Sequence, residues 1–469
     1  MSAVQSAQAR RWANWQRIAV LAWPVFIGQL AVLSYSTIDT VLVARFGALD
    51  LAALAVGNAV YTSVFVGLMG VVLAVSPLAA QRFGAGDSQG VGDSLHQAVW
   101  LALALTLLGW LLLLNPEPLL ALARPEVQVE AIIRRHLGLL AVALPAALLF
   151  TVYRGFNTAV SRPKAVMVLQ LGGLALKFPL SLLLIHGAPG LPGALAFEGM
   201  GAPGGALSTA IVVWSQLLAG VWLLRHDAHY RPFGLHQGGL HRPNLAALKR
   251  LLALGLPMGG SILIEVTGFT FMALFISRFG ATAVAGHQLA ANLVAMMFML
   301  PMALGNATGA LVGQRVGAHD LLDAQRLARH GLELALGLAL LLGSTMFLLR
   351  LPVLQLYTQD PLIIAAALPL LFWVAVFHLG DAGQALCAAV LRAHHVTLAP
   401  MVVYALAIWG VGIGGGYWLA FDAPFKAWSG AQGFWAAATL GLLLTATGLG
   451  WVQGAVHRSA LKRSSAPQR

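Results

Sequence analysis

Residues 285–320 read AGHQLAANLVAMMFMLPMALGNATGALVGQRVGAHD, a long apolar run that ends in the polar motif QRVGAHD. The same motif occurs earlier as QRFGAGD (81–87), also after an apolar run. A helix that crosses a bilayer needs about 20 apolar residues, and both runs are that long. The two motifs therefore predict a membrane protein with an internal repeat.

Sliding the chain along itself until Pro24 falls on Pro257 aligns the two copies. From residue 24 to residue 87 this repeat alignment has no gap and gives 17 identities in 64 positions. Charged residues match in place, which chance rarely produces in an apolar chain: Arg45 with Arg278, Arg82 with Arg315 and Asp87 with Asp320. We interpret the pattern as an internal duplication.

The composition excludes most soluble classes. Of 469 residues, 59% are hydrophobic and 9% are charged, against about 25% charged in a soluble domain. The single cysteine, Cys387, excludes a disulfide scaffold, and so few charges argue against a disordered chain. Twelve apolar runs of spanning length lie between residues 18 and 455, without the period-two alternation of a β-barrel. We predict an all-α polytopic membrane protein with twelve transmembrane helices.

The repeat predicts how these helices are organised. Six spans per copy are an even number, so both copies enter the membrane from the same side and form two six-helix bundles related by a pseudo-two-fold along the membrane normal. We predict an N-terminal lobe at 1–233 and a C-terminal lobe at 234–469, with a polar linker at about 225–250. Two facing bundles would enclose the central cleft of an alternating-access transporter.

Basic residues predict the orientation. With both termini in the cytoplasm, 20 of the 28 Lys and Arg residues lie on the cytoplasmic side and seven lie outside. The net charge of +12 then faces anionic lipid, so we expect the lipid bilayer as a partner and no nucleic acid. The N-terminal apolar stretch is too long for a cleaved signal peptide, and we interpret it as the first span.

Four ionisable side chains fall within the predicted spans, where each costs about 2.5–3.5 kcal/mol to insert: Asp39, Lys177, Glu265 and Asp381. Glu333 and Arg392 are borderline, and the remaining charges lie in loops or at span ends. Glu265 and Asp381 form a candidate cation site, since two carboxylates in a low dielectric cannot both ionise cheaply and would share a proton or bind a small monovalent cation. Alternatively, each bonds backbone groups at a helix break. Asp39 and Lys177 form either a structural ion pair or a second proton or cation site, in which Lys177 tunes Asp39.

Other residues have two interpretations each. Pro24 and Pro257, at matching places in spans 1 and 7, mark either a bend that changes between states or a static kink. Gln288 and Asn292 share one helix face and line either the substrate cleft or a helix–helix contact. Met299, within MMFMLPM (296–302), belongs either to an adaptable substrate surface or to a packing stripe. Gly255-x-x-x-Gly259 and Gly410-x-x-x-Gly414 are weak helix-packing motifs.

Several kinds of chemistry find no support. The sequence contains no P-loop and no HExxH motif, and the 14 histidines lie mostly in predicted loops without metal-ligand spacing. We therefore expect a transporter that is not an enzyme and needs no cofactor beyond a coupling ion.

The sequence resembles the multidrug and toxic compound extrusion (MATE) family, in its NorM-like branch. The resemblance rests on AQRFGAGD (80–87), the block 285–320, Glu265 after GLPMGGSIL, LGDAGQAL (379–386) and VLRAHHVTLAPM (390–401). It implies a bacterial inner-membrane antiporter that exports amphiphilic, often cationic drugs in exchange for Na⁺ or H⁺, and we expect a monomer. It also implies that Asp39 is the first-lobe acid and that Glu265 and Asp381 are the acid pair that binds the coupling cation, with Na⁺ possible there.

Two departures from the family pattern bear on these roles. KFPLS (177–181) replaces a polar N-x-P-L-N stretch, so Lys177 stands where it could neutralise Asp39 and take the place of a cation. Phe377 replaces a tyrosine of some relatives, which removes one possible cation ligand. The alternatives are a flippase for lipid-linked precursors or polysaccharides, which should carry Arg in its cleft, and an integral-membrane enzyme, which should carry a nucleophile or metal cluster.

Overall fold

The structure is a computed structural model that describes residues 3–123, 126–188, 197–236, 239–422 and 428–465. Within these ranges the chain is helical apart from short connections, and twelve helical stretches are long and apolar enough to cross a membrane. The predicted all-α class and the predicted number of spans are confirmed.

The chain divides into two compact units. The N unit consists of residues 27–259, and the C unit consists of residues 1–26 together with residues 260–469. This division differs from the sequence-based boundary at 233/234, because residues 1–26 pack with the second copy and residues 234–259 pack with the first. The two crossing points, 26/27 and 259/260, occupy equivalent positions in the repeat alignment.

The N unit is built around one long helix that is mostly buried. This helix, α6, packs against α2, α4 and α8, and its apolar side chains Leu144, Leu148 and Phe156 lie in the core. The helices of this unit are α1 (Ala3–Phe46, its first part in the C unit), α2 (Ala48–Val72), α3 (Val75–Gly84), α4 (Ser88–Leu114), α5 (Glu117–Ala123), α6 (Val127–Ala159), α7 (Pro163–His186), α8 (Ala202–His226) and the first part of α9 (Leu245–Ile276).

The C unit is built around α14, which packs against three long helices, α10, α11 and α16. Its helices after α9 are α10 (Ala281–Gly317), α11 (Leu321–Leu348), α12 (Arg350–Tyr357), α13 (Pro361–Ala367), α14 (Leu370–Ala393), α15 (Leu398–Tyr404) and α16 (Ala431–Ser465). Between α15 and α16 the helix continues in the wider π form over Ala405–Gly415 and Trp418–Asp422. This wider stretch completes the span that α15 begins.

Helix boundaries repeat with the sequence. Helices α4 and α11 begin at Ser88 and Leu321, which the repeat alignment places on each other. The aspartate before each helix caps it, since Asp87 accepts from the Gly90 N–H at 2.9 Å and Asp320 accepts from the Asp323 N–H at 3.0 Å. The matching aspartates of the repeat thus mark where a helix begins, which explains why they occur in both copies.

Candidate cation-coupling sites

Lys177 and Asp39 meet inside the N unit. The Lys177 Nζ lies 2.7 Å from the Asp39 Oδ2, and the lysine side chain is fully buried. The Nζ donates to three further oxygens, all on α8: the Gly205 carbonyl at 3.0 Å, the Ser208 hydroxyl at 2.7 Å and the Thr209 hydroxyl at 2.7 Å. The ammonium therefore sits among four oxygens, the environment that a bound monovalent cation would need.

Neighbouring residues on α7 and α8 hold the carboxylate in place. Ser181, one turn after Lys177, donates to the Asp39 Oδ1 at 2.8 Å. Gly205 lets α8 approach, since a Cβ there would lie only 3.3 Å from the Asp39 carboxyl carbon. Both carboxylate oxygens are thus hydrogen-bonded, so the sequence prediction that Asp39 and Lys177 lie together is confirmed as geometry.

Glu265 lies in the C unit, on α9, and lines a pocket of ≈ 30 Å³, which exceeds the about 10–15 Å³ that a cavity needs to hold a water molecule. Apart from Glu265, the side chains that line the pocket are Gly, Ala, Phe, Met, Ile and Leu, including Phe269 and Phe377. A carboxylate in such surroundings gains from a proton or a small cation, because the apolar side chains of the pocket do not solvate its charge.

Asp381 lies on α14 of the same unit and is 2% exposed. Its Oδ1 accepts from the Gln384 Nε2 at 3.0 Å, while the Gln384 Oε1 and the neighbouring His378 Nε2 are buried with no hydrogen-bond partner among the described residues. Asp381 lies within range of the Glu265 charge. The two predicted acids thus interact electrostatically within the C unit, and the Gln384 side chain beside Asp381 has a buried oxygen without a hydrogen-bond partner among the described residues.

Two residues of this site were not singled out from the sequence. Arg392, in the last turn of α14, and the buried Tyr404, at the end of α15, both interact electrostatically with Glu265. From the sequence, Arg392 is a borderline case for a charge within a span, because it lies near the end of one. Tyr404 gives no signal, because tyrosine is common in apolar helices. The arginine gives the acid pair a positive neighbour that sequence spacing alone does not reveal.

The structure gives the positions of the other predicted residues, whose roles stay predictions. Gln288 and Asn292 are exposed on α10, and Asn292 accepts from the Tyr357 hydroxyl at 2.9 Å. Met299 is half-buried on the same helix. Pro24 and Pro257 lie inside α1 and α9, each just before the point where its helix passes from one unit to the other.

The expectation that the histidines lie mostly in loops was wrong. Eight of the 14 lie in candidate spans, and His136, His287, His330 and His378 are buried. One of them, His136, bonds the Ala202 carbonyl of a neighbouring helix at 2.9 Å. Apolar neighbours hid these residues because a lone histidine barely changes local hydropathy. Within the described residues, no three His, Cys, Asp or Glu side chains form a metal-binding group.

Twelve spans, an internal repeat and ionisable side chains buried within helices are the features of a multi-pass membrane transporter. The MatE family model matches residues 24–183 and 257–418, two segments whose first residues, Pro24 and Pro257, are equivalent in the repeat alignment. The chain belongs to the MatE family.

Individual comparisons agree with this assignment. The chain is 42% identical over 438 residues to a probable multidrug resistance protein NorM of Aromatoleum aromaticum, covering 93% of both chains. It is 36% identical over 433 residues to the multidrug resistance protein PmpM of Pseudomonas aeruginosa, covering 92% of this chain and 89% of that protein. The fold matches the crystal structure of the eukaryotic MATE transporter AtDTX14 with a TM-score of 0.84 at 17% identity, over 97% of this chain and 99% of that one.

Proposed function

We propose that this protein is a secondary active exporter that expels amphiphilic, often cationic organic compounds in exchange for Na⁺ or H⁺ by alternating access. Its relatives are named multidrug resistance proteins, which supports the substrate class. The observation that carries the coupling proposal is the acid pair within the spans, the buried Asp381 together with Glu265 on its apolar pocket. We further propose a monomer in the bacterial cytoplasmic membrane, with both termini in the cytoplasm.

Coupling follows from the charge balance of the acid pair. Two ionised carboxylates in a low dielectric repel each other, and Arg392 compensates only one negative charge. A proton on either acid, or a Na⁺ held by carboxylate oxygens and the Gln384 Oε1, removes the excess and stabilises the occupied state. An organic cation and the coupling ion would then compete for the same negative charge.

One coupling charge is sufficient for useful export when the exchange moves one net charge, as it does for a neutral compound. For a monovalent organic cation the two charges cancel, and the concentration gradient of the coupling ion has to drive export. A membrane potential of about 150 mV supplies roughly 3.5 kcal/mol per charge moved. Since about 1.4 kcal/mol corresponds to a tenfold ratio, this supports a gradient of a few hundredfold.

The N unit contributes differently. Lys177 already balances Asp39, so ion exchange at Asp39 requires the ammonium to move away. We therefore propose Glu265 and Asp381 as the principal coupling site and Asp39, tuned by Lys177, as a secondary one. In this proposal Pro24 and Pro257 permit helix bending, and Gln288, Asn292 and Met299 line the substrate cleft.

The first prediction concerns Glu265→Gln and Asp381→Asn, which remove charge with little change in shape. Each variant should lose most ion-driven ethidium efflux from proteoliposomes, because no excess negative charge remains to exchange. Glu333→Gln is the matched control, since Glu333 is an acid of the same unit that pairs with Arg11; it should retain efflux. Running each vesicle with a Na⁺ gradient or a pH gradient alone identifies the ion. Unchanged gradient-dependent efflux in both variants would refute the site.

A further inference from the structure

A group of aromatic rings lies at the end of α9 and of the neighbouring wide helix in the C unit. We call it the aromatic cluster: Phe275, Phe279, Tyr417, Phe421 and Phe434. Ring centroids lie 4.7 Å apart for Phe279 and Phe421 and 4.8 Å apart for Tyr417 and Phe421. Phe434 is fully buried and stacks on Phe275, whereas Phe279, Tyr417 and Phe421 are each about one third exposed. The cluster thus has a buried floor and an accessible rim.

One cation of the chain already lies against these rings. The Arg278 guanidinium carbon is 5.7 Å from the Phe275 ring centroid and 5.8 Å from that of Phe421. Both distances fall within the about 6 Å over which a ring face attracts a cation. The cluster therefore accepts a planar, delocalised positive charge.

The positive charge of Arg278 is held by aromatic rings and not by a carboxylate. Arg278 is exposed, and its long side chain could reach other partners. Within the described ranges it nevertheless makes no ion pair. The repeat offers a comparison, because Arg45 is the equivalent of Arg278 in the N unit. Phe46 matches Phe279, but Leu42 stands where the C unit has Phe275. Phe275, one of the two rings on which Arg278 lies, is therefore an addition of the C unit, whereas Phe279 belongs to the duplicated scaffold.

We propose that the aromatic cluster is a peripheral binding site for lipophilic organic cations, in which Arg278 is a tethered competitor for the same rings. An aromatic cation gains the same ring attraction as the guanidinium and also buries apolar surface against the rim. Swinging the arginine aside opens the site and leaves its charge nearby, which keeps the affinity low enough for release. The ligand class rests on the proposed export function, while the site itself stands on the ring geometry.

The test uses two probes of nearly equal shape and opposite charge, tetraphenylphosphonium and tetraphenylborate, in equilibrium dialysis with the purified full-length protein. Arg278→Ala should raise tetraphenylphosphonium affinity about 2- to 5-fold, since a cation–ring contact at an exposed site is worth about 0.5–1 kcal/mol. It should lower tetraphenylborate affinity. Phe421→Leu should weaken tetraphenylphosphonium binding by a similar factor. Arg45→Ala, at the equivalent position where Leu42 replaces the Phe275 ring, should change the binding of neither probe.

The same measurements in the Glu265→Gln, Asp381→Asn double variant separate this proposal from the export proposal. The Arg278→Ala effect should persist there even if efflux is lost, because the aromatic cluster does not include the acids. If Arg278→Ala leaves both probes unchanged, or if Arg45→Ala has the same effect, the cluster is only an aromatic girdle at the membrane interface and the proposed site is wrong.

Discussion

Lys177 gives the buried carboxylate of Asp39 a positively charged partner within the membrane-spanning helices. The sequence places a lysine and an aspartate in two apolar spans, and desolvation predicts that they pair. It does not indicate the three oxygens of α8 around the ammonium, since Gly205, Ser208 and Thr209 are ordinary residues of an apolar helix. Their role arises only when α7 and α8 pack together.

The second prediction is a double-mutant cycle on this pair. Lys177→Met should destabilise the protein by about 3–5 kcal/mol at neutral pH, because it leaves a buried carboxylate without its partner. Asp39→Asn combined with Lys177→Met should recover most of that loss, since no charge is then left unpaired. Thermal unfolding in detergent measures both, with exposed Lys164→Met as the control for losing a lysine. Additive effects of the two substitutions would contradict a coupled pair.

At the scale of elements, close helix packing depends on which glycines face a neighbour. Two of the Gly-x-x-x-Gly motifs in the sequence, at 255–259 and 410–414, have an equal appearance. In the structure a Cβ on Gly255 would overlap the Val71 carbonyl, and one on Gly259 would lie 2.7 Å from the Gly67 carbonyl, so α9 packs directly on α2. Gly410 has open space around it. The Gly-x-x-x-Gly spacing identifies a helix face that could pack closely. Whether it does so depends on whether another helix lies against that face, which the sequence does not show.

The third prediction follows from this difference. Gly255→Ala should destabilise the protein by about 1–3 kcal/mol, because backbone atoms on α2 cannot move aside cheaply. Gly410→Ala is the matched control and should be neutral or stabilising by about 0.4–1 kcal/mol, since alanine limits the unfolded chain and meets no obstacle. Denaturation curves in detergent compare the two. Equal effects would show that the α9–α2 contact is looser than the structure indicates.

At the scale of the whole molecule, the segment that connects the two copies belongs to the N unit. Residues 239–259, which include the end of the predicted linker, pack with the N unit. Gln97 on α4 binds this segment twice, donating to the Arg242 carbonyl at 3.0 Å and accepting from the Asn244 N–H at 2.8 Å, and Trp100 donates to the His241 carbonyl at 2.8 Å. The connection between the repeats is thus fastened to the first copy.

The fourth prediction tests this attachment. Gln97→Ala should accelerate hydrogen exchange of the Asn244 amide roughly 5- to 30-fold, followed by NMR or mass spectrometry of the protein in detergent, because about 1–2 kcal/mol of hydrogen bonding no longer protects this amide. Trp100→Phe should give a smaller acceleration, and Trp110→Phe, which loses an indole hydrogen bond to Ala141 away from the linker, is the control. An exchange rate unchanged in Gln97→Ala would mean that the apolar packing of α9 alone holds the segment.

The sequence by itself determined the membrane class, the twelve spans, the repeat and the identity of the acids within the spans. These properties are local or periodic. Hydrophobicity accumulates along a span, and the duplication keeps its offset at matching positions such as the helix caps Asp87 and Asp320. Only the tertiary structure decided which helices share a unit, where α1 and α9 cross between units, and which neutral groups complete each charged site. Arg392, Gln384 and the oxygens around Lys177 acquire their roles from residues distant in the chain, because a charge in a low dielectric is governed by whatever packing brings within a few ångströms of it.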